Sequence, residues 1–310
     1  MRAIVTGGAG FIGSHLVDAL AARGDDVLAI DDLSKGRRDR VEAPFAAVDV
    51  RDAAALASAF AEHRPDVVLH LAAQADVRLS VSDPAADAAI NVTGTINVLQ
   101  AALAVGARVV FASTGGAIYG EDAPRPTPES AACKPEAPYG TAKLCAEEYV
   151  RLFNRLHRTR HAILRLGNVY GPRQDPSGEA GVVSIFAGRV VRNERPTVFG
   201  DGLQTRDYVF AGDVVQAFAA AADAGIAGLW NVGTGREVSV IDLIEGFAAI
   251  CGATIDPEFA PARQGELQAS SLDPSAGQRA LGVSAAKPLR DGLQAVYEWV
   301  LAGEPVRGTL

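Results

Sequence analysis

Two groups of residues have the types and spacing for chemistry. Tyr139 and Lys143 stand four apart at the start of an Ala- and Leu-rich stretch, an interval that places both side chains on one face of a helix. Pro138, just before them, suits a helix entry. An ammonium close to a phenol favours the phenolate, so the pair is a candidate base for a hydroxyl proton. The hydroxyl-bearing turn Ser113-Thr114 could complete it. The second group is Gly7-Gly8-Ala9-Gly10-Phe11-Ile12-Gly13. Its first glycine permits a tight turn, its second lets backbone N–H groups approach a pyrophosphate, and its third lets helix pack on strand.

The glycine run gains weight from its position between a strand-like and a helix-like segment, with Asp31 ending the second strand at the usual separation. A carboxylate there accepts ribose hydroxyls and repels a 2′-phosphate, so NAD is favoured over NADP. Lys35, Arg37 and Arg38 nearby pull the other way. Asp49-Val50, after the strand 46–48, fits an adenine edge. Leu71-Ala72-Ala73-Gln74 would set small residues beside the cofactor. A positive nicotinamide ring would add to the field that favours the Tyr139 phenolate.

These groups need a frame. Short β-branched runs at Arg2–Thr6, 27–30, 67–71, 109–112 and Ala162–Leu166 read as buried parallel strands. Helix-like stretches at 12–22, Ala53–His63, Pro84–Val105 and 139–157 lie between them. That rhythm predicts an α/β fold, a doubly wound parallel sheet with right-handed crossovers. After Gly167 the pattern changes to a loop-rich 168–181, a helix at 183–193 and a short strand at Thr197–Phe199. A helix at 213–224 and a strand at 228–231 return to the sheet, and helices at 239–251 and 288–302 follow. Residues 1–166 with about 207–235 are expected to form the NAD-binding domain. About 167–206 with 236–310 would form a smaller C-terminal α/β substrate domain.

Composition narrows the function classes. Of 310 residues, 48% are hydrophobic and 21% charged, with a net charge of −8. That is an ordinary globular mix, without the basic excess a nucleic-acid binder needs. Cys133, Cys145 and Cys251 lack metal-ligand spacing, so no metal site and a reduced cytoplasmic setting are expected. No uninterrupted apolar run reaches 18 residues, so no membrane span is expected.

Taken together, the motifs resemble the extended short-chain dehydrogenase/reductase family, in particular its nucleotide-sugar 4-epimerases. The similar segments are TGGAGFIG (6–13), DDLSKG (31–36), HLAAQ (70–74), STGGAIYG (113–120), YGTAK (139–143), RLGNVYGP (165–172), RDY (206–208) and NVGTG (231–235). The resemblance implies a Rossmann domain in which Asp31, Asp32, Leu33, Ser34 and Gly36 border the adenosine, with Ser113 also near the cofactor. It implies a transient oxidation in which Tyr139 takes the sugar 4-hydroxyl proton while NAD⁺ takes the C4 hydride, which then returns to the other face of a 4-keto sugar. Lys143 would hold the nicotinamide ribose. UDP-glucose and UDP-galactose are the expected pair. The alternatives are UDP-glucuronate, a CDP- or GDP-hexose, or a non-catalytic NAD sensor.

One departure concerns the catalytic hydroxyl. Counting back from Tyr119-Gly120, the position relatives fill with Ser or Thr is Gly115, so Thr114 takes that role, with Ser113 or a water as fallback. Dehydratases carry an acid and a base in this turn and decarboxylases a glutamate. Gly115 and Gly116 can supply neither. On the substrate side the resemblance implies Asn168 at the diphosphate and the segment 178–186, with Val183, Thr197 and Phe199, around the uracil. Arg206 and Arg263 would clamp the diphosphate, Glu266 would meet the nucleoside ribose, and Ser270 would leave room for an N-acetyl group. Arg78 is read as a helix-start surface residue in preference to a carboxylate ligand. Helices around 91–104 and 147–156 are expected to form a homodimer.

Overall fold

A computed structural model describes residues 1–175, 181–262 and 267–303. The first half alternates strand and helix: β1 (Arg2–Thr6), α1 (Phe11–Ala22), β2 (Asp26–Asp31), β3 (Phe45–Ala47), α2 (Ala53–His63), β4 (Val67–His70), α3 (Val77–Ser82), α4 (Pro84–Ala88), α5 (Gly94–Val105), β5 (Arg108–Thr114), α6 (Pro138–His157) and β6 (Ala162–Leu166). The second half runs β7 (Asn168–Tyr170), α7 (Val182–Val191), β8 (Thr197–Phe199), β9 (Thr205–Arg206), β10 (Tyr208–Phe210), α8 (Ala211–Ala224) and β11 (Gly228–Val232). It ends with β12 (Val238–Ser239), α9 (Val240–Cys251), β13 (Glu258–Ala260), α10 (Ser275–Leu281) and α11 (Leu289–Leu301).

Seven strands form one parallel sheet in the order β11-β6-β5-β4-β1-β2-β3. Buried on both faces, β1 and β4 need the continuous apolar runs that their residues supply. Leu16, Leu20 and Phe218 fill the layer under α1 and α8. Leu56, Phe60, Leu99 and Phe153 fill the layer under α2, α5 and α6. Each buried phenylalanine is worth about 3–5 kcal/mol against alanine. A third cluster, with Phe186, Val198, Phe210, Phe247 and Trp299, joins α7, α9 and α11 to β8 and β10. Strand order reverses between β1 and β4, so their C-terminal ends open the cleft in which such sheets bind ligands.

The structure adds to the sequence reading at three places. The segment 168–181 is not all loop: its first residues form β7, which pairs in parallel with β10. Strands of two or three residues, such as β9, β12 and β13, carry no periodic signal, and α10 was unanticipated. Pro84–Val105 is not uniform α-helix either. A π-helical turn, Ala89–Thr93, joins α4 to α5, where the Asn91 amide reaches out to the Gln74 carbonyl and Asp87. By composition this segment is long and apolar enough to cross a membrane, but it packs against α2 and α6.

Candidate active site

The glycine turn is shaped by close backbone approach. Gly7 has φ +70°, and a Cβ on it would lie 2.7 Å from the Ala72 backbone nitrogen. A Cβ on Gly13 would lie 2.0 Å from the Gly7 carbonyl oxygen, so α1 sits on the turn as only glycine allows. Gly10 is the N-cap of α1 and no side chain caps the helix. The donors of its first turn are therefore left to a ligand at the strand ends. This uncapped, glycine-lined cradle fits a pyrophosphate, with Phe11 and Ile12 in that first turn.

Asp31 is buried beside the cradle. Its Oδ2 accepts from the Ala9 amide at 3.0 Å and its Oδ1 from the Leu33 amide at 2.8 Å. Burial raises its pKa, and these two amides work against the rise. Gly36 lets the chain cross here, because a Cβ on it would meet Asp31 Oδ1 at 2.5 Å. Asp32 accepts from the Ser34 amide and hydroxyl at 2.9 and 2.6 Å, closing the turn at the rim. Arg37 pairs with Asp39 at 2.8 Å, while Arg38 donates to the Val41 carbonyl and lies over the Phe45 ring. Asp49 is engaged by Arg51, and Val50 is buried against Gly94.

The loop after β4 is locked at both ends. Leu71 donates its amide to the Thr6 carbonyl at 3.1 Å, and Ala72 and Ala73 follow. The Gln74 side-chain amide donates to Asp87 Oδ1 at 2.9 Å, and its oxygen accepts from the Asp76 amide.

Tyr139 and Lys143 share one face of α6, as the spacing predicts. An N–H of the first turn of α6 is satisfied from outside, by the Ser80 hydroxyl at 3.1 Å from the Tyr139 nitrogen. Lys143 is buried, donates to the Ala112 carbonyl at 3.1 Å and lies 4.8 Å from the Phe111 ring centre. Burial lowers its pKa to about 8, with Asp87 and Glu147 pulling it back up. The Tyr139 phenol differs from expectation. Burial pushes it up to about 12, the Asp87 charge adds to the rise, and a hydrogen bond with Thr114 opposes it. The Lys143 ammonium is turned to the Ala112 carbonyl. Thr114 is therefore the hydroxyl at Tyr139. Ser113 instead donates to Glu147 Oε1 at 2.6 Å, out of the cleft.

Gly115 and Gly116 are required by their neighbours. A Cβ on Gly115 would stand 2.4 Å from Leu272 Cδ1, and one on Gly116 would stand 3.0 Å from Asn168 Oδ1. Leu272 thus occupies the space that a side chain at position 115 would need. Both glycines line a small cleft with Tyr119, Thr127, Ala269 and Ser270. Asn168 begins β7 and donates its amide to the Asp207 carbonyl at 2.7 Å. Arg206 lies on β9 and donates to the Thr205 carbonyl. Thr197 and Phe199 lie on β8, paired with β13. Val183 is wholly buried in the third cluster. Arg263 and Glu266 lie outside the described residues. Arg78 stands at the start of α3, 46% exposed and 3.9 Å from Asp76, the surface position the sequence suggested.

Sequence reasoning missed Asp207, which accepts from the Thr234 amide and hydroxyl and from the amides of Gly235 and Leu272. It also missed Glu147 and Asp87. The pattern RDY hinted at the first, but nothing local marks which residues a carboxylate will gather from distant loops.

Fold and site together define a dinucleotide-dependent α/β enzyme with a tyrosine–lysine pair at its cleft. The chain belongs to the NAD dependent epimerase/dehydratase family, whose pattern matches residues 3–233. It is 42% identical over 308 residues to a UDP-glucose 4-epimerase of Mycolicibacterium smegmatis, covering 96% of this chain and 98% of that one. Among solved structures, a UDP-glucose 4-epimerase with UDP-glucose from Thermotoga maritima superposes with a TM-score of 0.96 at 42% identity, covering 98% and 99% of the two chains. The Thermus thermophilus UDP-glucose 4-epimerase complex with NAD gives 0.90 at 42% identity, covering 96% and 98%.

Proposed function

We propose that this protein is an NAD-dependent nucleotide-sugar 4-epimerase interconverting UDP-glucose and UDP-galactose. The observation that carries this reading is Tyr139, one turn from Lys143 on α6 and with Thr114 as its neighbouring hydroxyl, beside a turn whose Gly115 and Gly116 offer no second acid or base. Such a site can move one proton and has nothing for elimination or decarboxylation. The close relatives named UDP-glucose 4-epimerase support the same chemistry.

NAD, when bound, supplies the acceptor for the C4 hydride and gives it back. The glycine cradle at Gly7, Gly10 and Gly13 would hold its pyrophosphate, Asp31 its adenosine ribose, and Lys143 the ribose at the other end. Tyr139 accepts the proton of the sugar 4-hydroxyl as the C4–H bond breaks, and returns it to O4 when that bond re-forms. The 4-keto sugar must present its opposite face between the two events. Thr114 holds O4 in line with the phenol. At about 12 the phenol is a poor base on its own, so positive charge near it is needed for activity at neutral pH.

Asn168, Arg206 and Arg263 are assigned to the diphosphate, Val183, Thr197 and Phe199 to the uracil side, and Glu266 to the nucleoside ribose. Ser270, a small side chain in the cleft lined by Gly115 and Gly116, is assigned to the side of the sugar where an N-acetyl group would lie. The domain division at 166, 206 and 235 belongs to this reading. So does a homodimer through α5 and α6, supported by Leu152 and Leu156, 40% and 65% exposed on α6. Three unpaired cysteines suit a cytoplasmic setting.

The test is incubation with UDP-galactose, UDP-glucose, their N-acetyl forms and UDP-glucuronate, with products separated by chromatography. Interconversion of a C4 pair without net NADH is expected. Net NADH release, or no turnover of any of them, refutes the reading. Sedimentation showing only monomer at micromolar concentration removes the dimer.

A further inference from the structure

Three consecutive residues of β5 each hold one of three residues spaced a turn apart on α6. Thr114 meets Tyr139, the Ala112 carbonyl accepts from Lys143 at 3.1 Å, and Ser113 donates to Glu147 at 2.6 Å. Positions 139, 143 and 147 follow the i, i+4, i+8 stripe of one helix face. The reaction described above uses the first two and leaves Glu147 unexplained.

Glu147 is fully buried, and so is its partner Arg165 on β6. The guanidinium grips both carboxylate oxygens, at 2.8 and 2.6 Å. Arg165 is the register neighbour of Ser113 across the β5–β6 pair and of Asn231 across the β6–β11 pair. The row continues outward. Arg165 donates to the Tyr119 hydroxyl at 2.8 Å, which donates to Asn231 Oδ1 at 2.9 Å. The Asn231 amide then donates to the carbonyls of Thr127 and Asp273, flanking the strip that carries Ser270 and Leu272. Buried charge is held in place only when its geometry is satisfied, so this row fixes the height of α6 above the end of β5.

We propose that Glu147 is a positioning residue for epimerisation: clamped by Arg165 and Ser113, it sets Tyr139 and Lys143 against Thr114 and links that geometry to the substrate-side strip. This rests on the epimerase reading. The same carboxylate helps keep Lys143 charged. Around that ammonium stand Asp87 from α4, Glu147 from its own helix, and His70 from β4, which burial holds neutral.

The experiment compares wild type with Glu147→Gln, following kcat, KM and the pH dependence of kcat on UDP-galactose. The substitution keeps the side-chain volume and loses the charge. The expected result is a kcat roughly 10–100-fold lower from a misplaced helix, a KM within about threefold, and an alkaline limb near pH 8 moved to lower pH. A folded variant whose kcat and pH profile both match wild type overturns the proposal. If the variant does not fold, Ser113→Ala carries the test, because it keeps the ion pair and removes only the bond to β5. Its kcat should fall several-fold and recover in Ser113→Thr. An unchanged kcat overturns the proposal. Wild type inactive on every nucleotide sugar refutes the functional reading, and this inference falls with it.

Discussion

Gly10→Ala and Gly13→Ala should fail in different ways. At Gly13 an added Cβ would stand 2.0 Å from the Gly7 oxygen, 2.8 Å from its carbonyl carbon and 3.0 Å from Gly8 Cα. All three are backbone atoms of the turn, so no side chain can swing aside. An ordinary contact needs about 3.5 Å, so α1 must retreat by roughly 1.5 Å. Overpacking of that kind costs about 1–3 kcal/mol, a melting temperature lower by roughly 2–10 °C, and the retreat draws the helix N-terminus off the pyrophosphate. At Gly10 the backbone lies at φ −76°, open to any residue, and the Cβ has one close neighbour, the Gly7 oxygen at 3.1 Å. That variant should melt within about 2 °C of wild type, yet bind NAD at least tenfold more weakly, because its methyl intrudes where phosphate approaches backbone. Melts are to be compared on NAD-stripped protein, since bound cofactor adds its own stabilisation, and NAD is to be titrated calorimetrically. A Gly13→Ala protein with wild-type melt, or a Gly10→Ala protein with wild-type affinity, would refute this account of the turn.

Tyr139→Phe should lower turnover by about 10²–10⁴-fold while NAD still binds; a loss under tenfold would remove Tyr139 as the base. Gly115→Ser should be destabilising by about 1–3 kcal/mol because of Leu272, and should cost less in a Leu272→Ala background. A denaturant double-mutant cycle that comes out additive contradicts that packing. Burial lowers the pKa of His70 to about 3 and of His15 and His161 to about 4. Their folded values lie below the unfolded value near 6.5, so the stability they confer is present above it and is lost as pH falls toward 4. Each contributes about 1.4 kcal/mol per pH unit in that window. Asp31 and Asp87, whose pKa values are raised, oppose this only near the acid end. Unfolding free energy flat between pH 7 and 5 would show that these rings are not held neutral.

The parallel sheet was legible because strands buried on both faces must be apolar almost throughout, as the runs read at 67–71 and 109–112 are. The helices were legible from length and from Tyr139–Lys143 spacing. Lost were the elements whose reason to exist is non-local. β7 and β10 are three residues each and exist because each pairs with the other, Asn168 with Tyr208 and Tyr170 with Phe210, far apart in sequence. The π turn in Pro84–Val105 answers to Gln74 and Asp87, and no helical periodicity announces that.

The same division runs through the site. Glycines betray themselves because few other residues take their geometry, and the pair Tyr139–Lys143 because a helix converts spacing into adjacency. The phenol's pKa could not be read that way. Proximity to Lys143 in sequence suggested a lowered value, but the ammonium turns to Ala112 and burial decides the outcome. Thr114 and Ser113 are neighbours in sequence with the same chemistry, and only the partner separates them: Tyr139 for one, Glu147 for the other. That partner in turn is chosen by Arg165, which lies opposite Ser113 solely because β5 and β6 share a register. Which of the two hydroxyls faces Tyr139 is thus specified by strand pairing as much as by residue type, and a one-residue slip between β5 and β6 would move Arg165 from opposite Ser113 and break the clamp.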